Sequence, residues 1–554
     1  MKVRFLLTSF VACMSLASAL EFGGMGNTSA GMGGAGVALK NSAWGLYYNP
    51  ALLSASPKVK FGYSLGVGIS EKNLVQLATV DIANMQNTAK RLASSFSGGG
   101  SGGTSGAVSG VVDAVDKALD SVLGSGSGGT QGQNTQQKLE SYLQSHQNSN
   151  YTDLIDAIKT QVQSSSSLDP VQKDLLSNVL GSVDYDHLKF GNGNVGGLQS
   201  ALTNITIGKG SDKGLDKSMA DIALVQDSIK DSNLSLVSQN GLVFQLGSRP
   251  LNETVGTFAA GFFTSVHSSM SIKANPDKMR LILEAGGNYY ELKIGDSGYT
   301  YGLSSKTEYD KHSLLAALQA TNPDEAHSLT ITSFVLSEIP IGYARTFYFK
   351  NSNLNVGVSG KLMSGLSVQN KIAISTKTNF KKELSNITQS FNGSNASRAF
   401  GVDAGLVYEI DLPKFRNLTL GLVGKNLNSP SFKSTIEDIM IKPQVRAGLG
   451  YYTSSGFNVA FDVDLTQNDI LALSSLKQKS QMVGGGVGFL WRNMDLRVGA
   501  MKDLRQDTGL ILTGGINLLG FLDVTLQSST KFTSVRNIPM PQYLNLRVGG
   551  SFSW

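Results

Sequence analysis

Asp462 and Asp464 stand two apart in Phe457-Asn-Val-Ala-Phe-Asp-Val-Asp-Leu465. On a strand that spacing puts both carboxylates on one face, where a pair could do acid–base work or hold a cation. The other reading is that they are part of a polar wall. The sequence offers them no companions. His146, His187, His267, His312 and His327 form no H-x-x-x-H and have no carboxylates at metal spacing. There is no G-x-S-x-G and no Walker lysine. No nucleophile–histidine pair can be assembled, so the expectation is a protein that is not an enzyme and uses no metal and no cofactor. Gly31, Gly33 and Gly36 match G-x-G-x-x-G in form. A dinucleotide site needs a strand before that motif and a helix after it, and neither pattern is present.

With catalysis set aside, the charges read as a wall. Lys361, Arg446, Asp462, Asp464, Arg497 and Arg547 each lie between apolar neighbours in stretches of period two. Their neighbours face one side and the charges face the other. A mixed-charge lumen lining follows, which suits a gated channel better than an open pore.

The elements that would hold such a wall are strands. At the end of the chain Leu544, Leu546, Val548, Phe552 and Trp554 share one face, and Asn545, Arg547, Gly549, Ser551 and Ser553 share the other. Terminal strands of soluble sandwiches can alternate like this too. Near the start Val59, Phe61, Tyr63, Leu65, Val67 and Ile69 alternate with Lys60, Gly62, Ser64, Gly66 and Gly68. These two strands are expected to pair and close a barrel, removing unpaired edges.

About fourteen strands are expected. After the first they fall near 233–248, 253–272, 329–347, 353–375, 398–411, 416–426, 442–454, 456–466, 480–492, 494–502, 508–518, 520–532 and 543–554. Connections after even-numbered strands are short: 249–252, 350–352, 413–415, 454–455, 493 and 519. Those after odd-numbered strands are mostly longer: 71–232, 273–328, 376–397, 427–441, 467–479, 503–507 and 533–542. Bacterial outer-membrane barrels sort their connections this way, with an even strand count and short periplasmic turns. Composition agrees. Charged residues are only 16%, there are 63 glycines, and the net charge of +6 is spread without a basic block, so no nucleic-acid partner is expected. The mean hydropathy of −0.04 suits strands that are apolar on one face only.

Lys2, Arg4, the apolar run Phe5 to Leu16 and Ala17-Ser18-Ala19 have the form of a secretory signal cleaved near Ala19. The only cysteine, Cys13, lies inside it; a lipoprotein would need cleavage just before Cys13, where Phe10 fits poorly. No later stretch approaches 18 consecutive apolar residues, so helical spans are not expected. From Glu71 to about Ser232 the pattern turns to helical stripes separated by Gly/Ser runs at 97–106 and 124–135, with Asp169-Pro170 as a helix start. The expected domains are 1–19 signal peptide, 20–57 N-terminal segment, 58–70 with 233–554 barrel, and 71–232 a helical extracellular insertion.

Gly31-Met-Gly-Gly-Ala-Gly36, followed by Ala43-Trp-Gly-Leu-Tyr-Tyr-Asn49-Pro50-Ala51, resembles the N-terminal hatch of the long-chain fatty acid transporter (FadL) superfamily, closest to its conjugal-transfer TraF-like branch. Gly421-Leu-Val-Gly-Lys-Asn426 and Pro443-Gln-Val-Arg-Ala-Gly-Leu-Gly450 resemble motifs of the same broad family. The resemblance does not cover 71–232. It implies a fourteen-stranded antiparallel transmembrane barrel in the bacterial outer membrane, plugged by a hatch that carries Gly31, Gly33, Gly34, Gly36, Asn49, Pro50 and Ala51. It implies Phe552 and Trp554 as the signal read by the barrel assembly machinery. It makes Pro340 a candidate strand kink for sideways release, beside the plainer reading of a bulge. Two functions stay open. One is a hatch-gated transporter of small hydrophobic molecules. The other is a scaffold in a conjugation- or secretion-related envelope assembly, with partner proteins docking on 71–232. Outer-membrane lipid is a partner in both.

Overall fold

The computed structural model describes residues 25–72, 152–166, 205–209, 213–228, 232–375 apart from 286–287 and 295–297, 396–470, and 479–554 apart from 493 and 536–537. It also describes scattered positions between 74 and 177 and between 377 and 383. Fourteen strands close into one antiparallel barrel. In chain order they are β1 Lys60–Lys72, β2 Asn233–Leu246, β3 Thr257–Lys273, β4 Ser328–Tyr348, β5 Ser352–Ala373, β6 Ala396–Leu412, β7 Arg416–Lys425, β8 Gln444–Tyr452, β9 Phe457–Asp464, β10 Met482–Trp491, β11 Met494–Asp503, β12 Leu510–Leu518, β13 Leu522–Ser529 and β14 Tyr543–Ser553. Each pairs with its sequence neighbours, and β14 closes on β1 from Lys60↔Ser553 to Ser70↔Tyr543.

Period two sorts each strand. Leu65 (61% exposed) and Val67 (52%) face outward, whereas Ser64 and Arg547 (both 0%) face the lumen. Leu242, Phe244, Ile341, Leu362, Leu422, Phe461, Val498, Leu512, Leu526 and Leu546 continue an exposed apolar belt around the outside. A soluble fold would bury such a belt. In a bilayer it meets acyl chains, and closure leaves no backbone edge unsatisfied. This is an all-β membrane barrel, and among the described residues no helix is long and apolar enough to cross a membrane.

The short connections are tight at one end of the barrel. Lys414 (φ 63) and Phe415 (φ 54) form the β6–β7 turn, and Arg492 (φ 54) and Leu519 (φ 57) sit in two others. The connection at 249–252, expected as a plain turn, is a short helix, Arg249–Thr254. Ser248 accepts from Leu251 N at its start and Pro250 occupies the first turn, where its missing N–H is no loss.

The long-loop end differs more from expectation. Helices Thr152–Ser164 and Lys213–Ser228 lie within 71–232, but that span also contributes a strand, Ile205–Gly208. The strand joins a four-stranded sheet with Gly298–Ser304, Asn288–Ile294 and Leu281–Ala285, in that order. The connection at 273–328 is therefore not a plain loop, and the insertion is not simply helical. Leu215, Met219 and Ile222 recur at helical spacing and bury against Leu281, Leu283, Leu292 and Leu314, with Met85 in the same core. Arg280 bonds Glu291 and Glu308 at the sheet edge. The Gly/Ser runs at 97–106 and 124–135 and the helix start at Asp169-Pro170 lie outside the described residues.

Candidate functional site

The polar faces of the strands converge on the lumen, and residues 25–58 fill one end of it. Their backbone approaches the wall closely. Gly33 (φ 67) and Gly34 (φ 77) take the left-handed conformation, and a Cβ at Gly33 would come within 2.4 Å of Ala500 O. The wall makes room in return: a Cβ at Gly405 would come within 1.9 Å of Asn49 Oδ1. Polar wall residues then take up the segment's free backbone groups. Thr513 Oγ1 accepts from Gly33 N (3.0 Å) and donates to Gly31 O (3.0 Å). Gln245 Nε2 donates to Leu53 O, Ser56 O and Lys58 O (each 3.1 Å). Lys60 Nζ donates to Lys40 O and Ser42 O, and Lys40 Nζ reaches Glu409 at 2.9 Å.

Asp462 and Asp464 share a face but not a task. Asp462 Oδ2 accepts from Gly36 N (2.7 Å) and Val37 N (3.0 Å). Paired N–H groups in a glycine-rich turn favour an anion, and here the anion is the barrel's own carboxylate. Asp464 accepts from Arg446 Nε (2.6 Å), Asn468 Nδ2 (3.1 Å) and Met482 N (2.9 Å). An acid–base or cation pair is therefore not assembled, because each carboxylate is engaged by a different set of donors. Among the described residues no cluster of His, Cys, Asp and Glu could hold a metal ion.

The other four predicted lumen residues are buried on the inner face but dispersed. Lys361 Nζ lies 3.0 Å from Asp403, 3.4 Å from Glu338 and 2.5 Å from Asn426 Oδ1. Arg497 pairs with Asp523 (2.8 Å) and Asp495 (3.3 Å). Among the described residues Arg547 has no carboxylate partner. Its guanidinium crosses over Gly66, where Nη2 donates to Gln239 O (2.7 Å). Arg446 pairs with Asp464 as described. Glu338, Asp403, Glu409, Asp523 and Lys60 were not singled out from sequence. The available signal was parity, since each sits on the polar face of its strand.

Asn49 holds the centre. It is fully buried, and its amide donates to Val37 O (3.1 Å), Leu406 O (3.2 Å) and Leu422 O (3.4 Å), while Oδ1 accepts from Ala51 N (3.1 Å). One side chain thus bridges the segment to β6 and β7. Pro50 and Ala51 follow against Gly357 of β5. Trp44, Leu46 and Tyr47 pack with Val243, Ala259, Phe263, Ala344 and Val423 of the wall. Asn49→Ala should raise amide exchange across Gly36–Ala51 by about tenfold or more, since each buried bond contributes roughly 0.5–1.5 kcal/mol. Unchanged exchange in a hydrogen-exchange experiment would show that Asn49 is not the tie.

Pro340 faces inward in β4, opposite Lys361 of β5. The β3–β4 ladder runs through Ala260↔Ile341, resumes at Phe263↔Glu338, and lacks the two pairs between. The register is the same on both sides, so the expected bulge is absent and the interruption is a gap in pairing. Proline supplies no N–H to the ladder there. Phe552 faces outward, stacked on Phe61 (6.3 Å) and edge-on to Phe521 (5.1 Å). Trp554 is exposed and its N–H donates to Val59 O (3.1 Å).

Beyond the N-terminal segment the inner face of β3–β5 turns apolar. Phe334, Leu336 and Met363 cluster with Phe432, Ile439 and Ile441, which the 427–441 connection folds inward. Between Leu336 and Ile441 of this cluster and Met25 and Tyr47 lies a small cavity of about 50 Å3, open to solvent, with His267, Glu338, Lys361 and Lys425 on its polar side.

Comparisons with known proteins bear on this architecture. Among solved structures, the deltaS2S3 mutant of the TodX monoaromatic hydrocarbon channel covers 96% of this chain and 98% of its own, at 11% identity and a TM-score of 0.37. The Pseudomonas putida toluene transporter TodX covers 97% and 98%, at 11% identity and 0.35. A mutant Rh. blastica porin covers 58% and 92%, at 9% identity and 0.20. No curated protein matches. The model of one family, described as the F plasmid transfer operon TraF protein, matches residues 138–464. That match spans more than half of the 554 residues, and the chain belongs to the TraF family of the F plasmid transfer operon.

Proposed function

We propose that this protein is a hatch-gated outer-membrane channel for small hydrophobic molecules. One observation carries the reading. Barrel lumens of aqueous channels are polar, yet here Phe334, Leu336 and Met363 on the inner face pack under Phe432, Ile439 and Ile441, and Leu336 and Ile441 present apolar surface to the cavity against Met25 and Tyr47. Residues 20–57 are the hatch, 1–19 a signal peptide cleaved near Ala19, and the short turns face the periplasm. Residues 71–232, with the sheet strands of 281–304, form an outer module. A hydrophobic solute enters at the long-loop end, leaves water against the surface that Leu336 and Ile441 give that cavity, and waits on the hatch. Removing apolar contact from that surface removes part of the driving force, about 1.5–3 kcal/mol for each fully buried large side chain.

Leu336→Asn with Ile441→Asn should lower uptake of radiolabelled toluene by intact cells about tenfold, given that scale, while heat-modifiable migration stays normal. Equal uptake by the variant and the parent, in cells where the parent raises uptake above a barrel-free strain, would defeat the reading. A second reading is a scaffold in an envelope assembly. The packed core joining Leu215, Met219 and Ile222 to the 281–304 sheet favours it, because a rigid module can present a surface. The two part on one result: a scaffold leaves uptake at the barrel-free level.

A further inference from the structure

The short-turn rim carries an arrangement that neither a channel nor a plug requires. Lys414 and Phe415 form the β6–β7 turn in left-handed conformation, where glycine or asparagine would sit without strain. The strain holds Phe415 outward at 90% exposure, with Lys414 exposed beside it. The neighbouring β4–β5 turn repeats the pairing, with Phe349 at 58% exposure next to exposed Lys350. A bond from Asp411 N to Asn351 O (3.0 Å) ties the two turns together. Turn centres two strands apart are about 10 Å from one another, within reach of two lysine side chains converging on one group. Arg345 is exposed on the outer face of β4 between Tyr343 and Phe347, and Arg416, opposite Leu412, has that same outward parity on β7.

This sector therefore sets four cations, Arg345, Lys350, Lys414 and Arg416, among aromatic side chains at the edge of the lipid-facing belt. Of the acids on the same segments, Glu409 faces the lumen, where it meets Lys40 and Asn355, and Asp411 is exposed and accepts from Asn417 Nδ2 (3.1 Å). A charge at this depth meets lipid head groups, and the aromatic rings fix the depth.

The geometry points to a binding site for an anionic phospholipid at this sector, its phosphate held between the β4–β5 and β6–β7 turns. A zwitterionic head group brings an ammonium into a cluster where four cations outnumber the one exposed carboxylate, Asp411, so it is disfavoured. A free phosphate lacks the acyl chains that Phe349 and Phe415 would hold.

Native mass spectrometry of the full-length protein released from mixed micelles tests this. Phosphatidylglycerol should be retained over phosphatidylcholine by about fivefold or more, the scale of one interfacial cation. Arg345→Gln with Lys350→Gln and Lys414→Gln should bring the ratio to parity. Arg398→Gln with Lys502→Gln, exposed at the long-loop end, should leave it unchanged. Inorganic phosphate should not displace the lipid. Equal retention of the two lipids by the parent overturns the proposal. So does an equal fall in the Arg398/Lys502 control, which would mean charge anywhere suffices, or displacement by phosphate. If the triple variant fails to assemble, Lys414→Gln alone and the parent at high salt carry the test, since screening should erase the preference. A ratio unmoved by both would refute the site.

Discussion

Deleting residues 26–51 from the full chain should turn a barrel that conducts weakly or not at all into one that conducts steadily in a planar bilayer. The segment contributes Trp44, Leu46, Tyr47 and Tyr48 to the core, all buried to 8% exposure or less, so it fills the lumen rather than lining it. Its removal leaves the wall able to stand alone. Closure depends on β1 and β14, which pair over eleven positions from Lys60↔Ser553 to Ser70↔Tyr543, and the deletion ends before them. The groups it uncovers are the ones water solvates best: Asp462, Lys60 and Thr513. A fourteen-stranded lumen is wider than the eight-stranded kind that side chains alone can fill, so an emptied one admits water. Identical conductance before and after deletion, with heat-modifiable migration intact in both, would mean the segment does not plug the pore.

The barrel was legible because period two speaks wherever one face meets lipid. Leu65, Val67, Leu546 and Val548 mark their strands without help, and the short connections sort themselves from the long. The module strands escaped notice for the opposite reason. Ile205–Gly208 is four residues and Leu281–Ala285 five, too short for alternation to register, and Ile282 is buried along with its neighbours Leu281 and Leu283. A strand covered on both faces loses its period. In the lumen, parity told which charges point inward but not which partner each would find. Lys361 meets Asp403 only because β5 and β6 pair Ser359 with Asp403, a register set by the whole ladder. The glycine motif has no strand pattern before it and no helix pattern after it in the sequence, yet its anion-holding chemistry is present. Gly36 N and Val37 N do hold an anion, and that anion is Asp462, some 426 residues away in sequence. Pro340 was legible as an interruption, whereas its form, a gap with unchanged register, depends on how β5 holds β4 from the other side.

Neighbouring substitutions on β9 should part by about tenfold in assembled yield. Phe461 faces lipid at 46% exposure, and Asp462 faces the lumen at 3%. Phe461→Asp puts a carboxylate into the apolar belt. A lipid-facing Arg or Lys near the midplane costs about 2–4 kcal/mol and an acid somewhat less, so the loss approaches the ~1.4 kcal/mol that a tenfold change needs. Loss of the phenyl ring's contact with acyl chains adds to it. Asp462→Asn is nearly isosteric and keeps an oxygen that can accept from Gly36 N and Val37 N. It weakens two charge-assisted bonds to neutral ones, roughly a halving of each, and the change falls on the N-terminal segment rather than on the barrel wall. The heat-modifiable fraction in outer-membrane extracts should therefore drop for Phe461→Asp and stay near the parent for Asp462→Asn. Amide exchange at Gly36 and Val37 should show the reverse order, faster in Asp462→Asn than in whatever Phe461→Asp assembles. Equal assembled yields for the two variants would mean that the inner and outer faces of β9 have been exchanged.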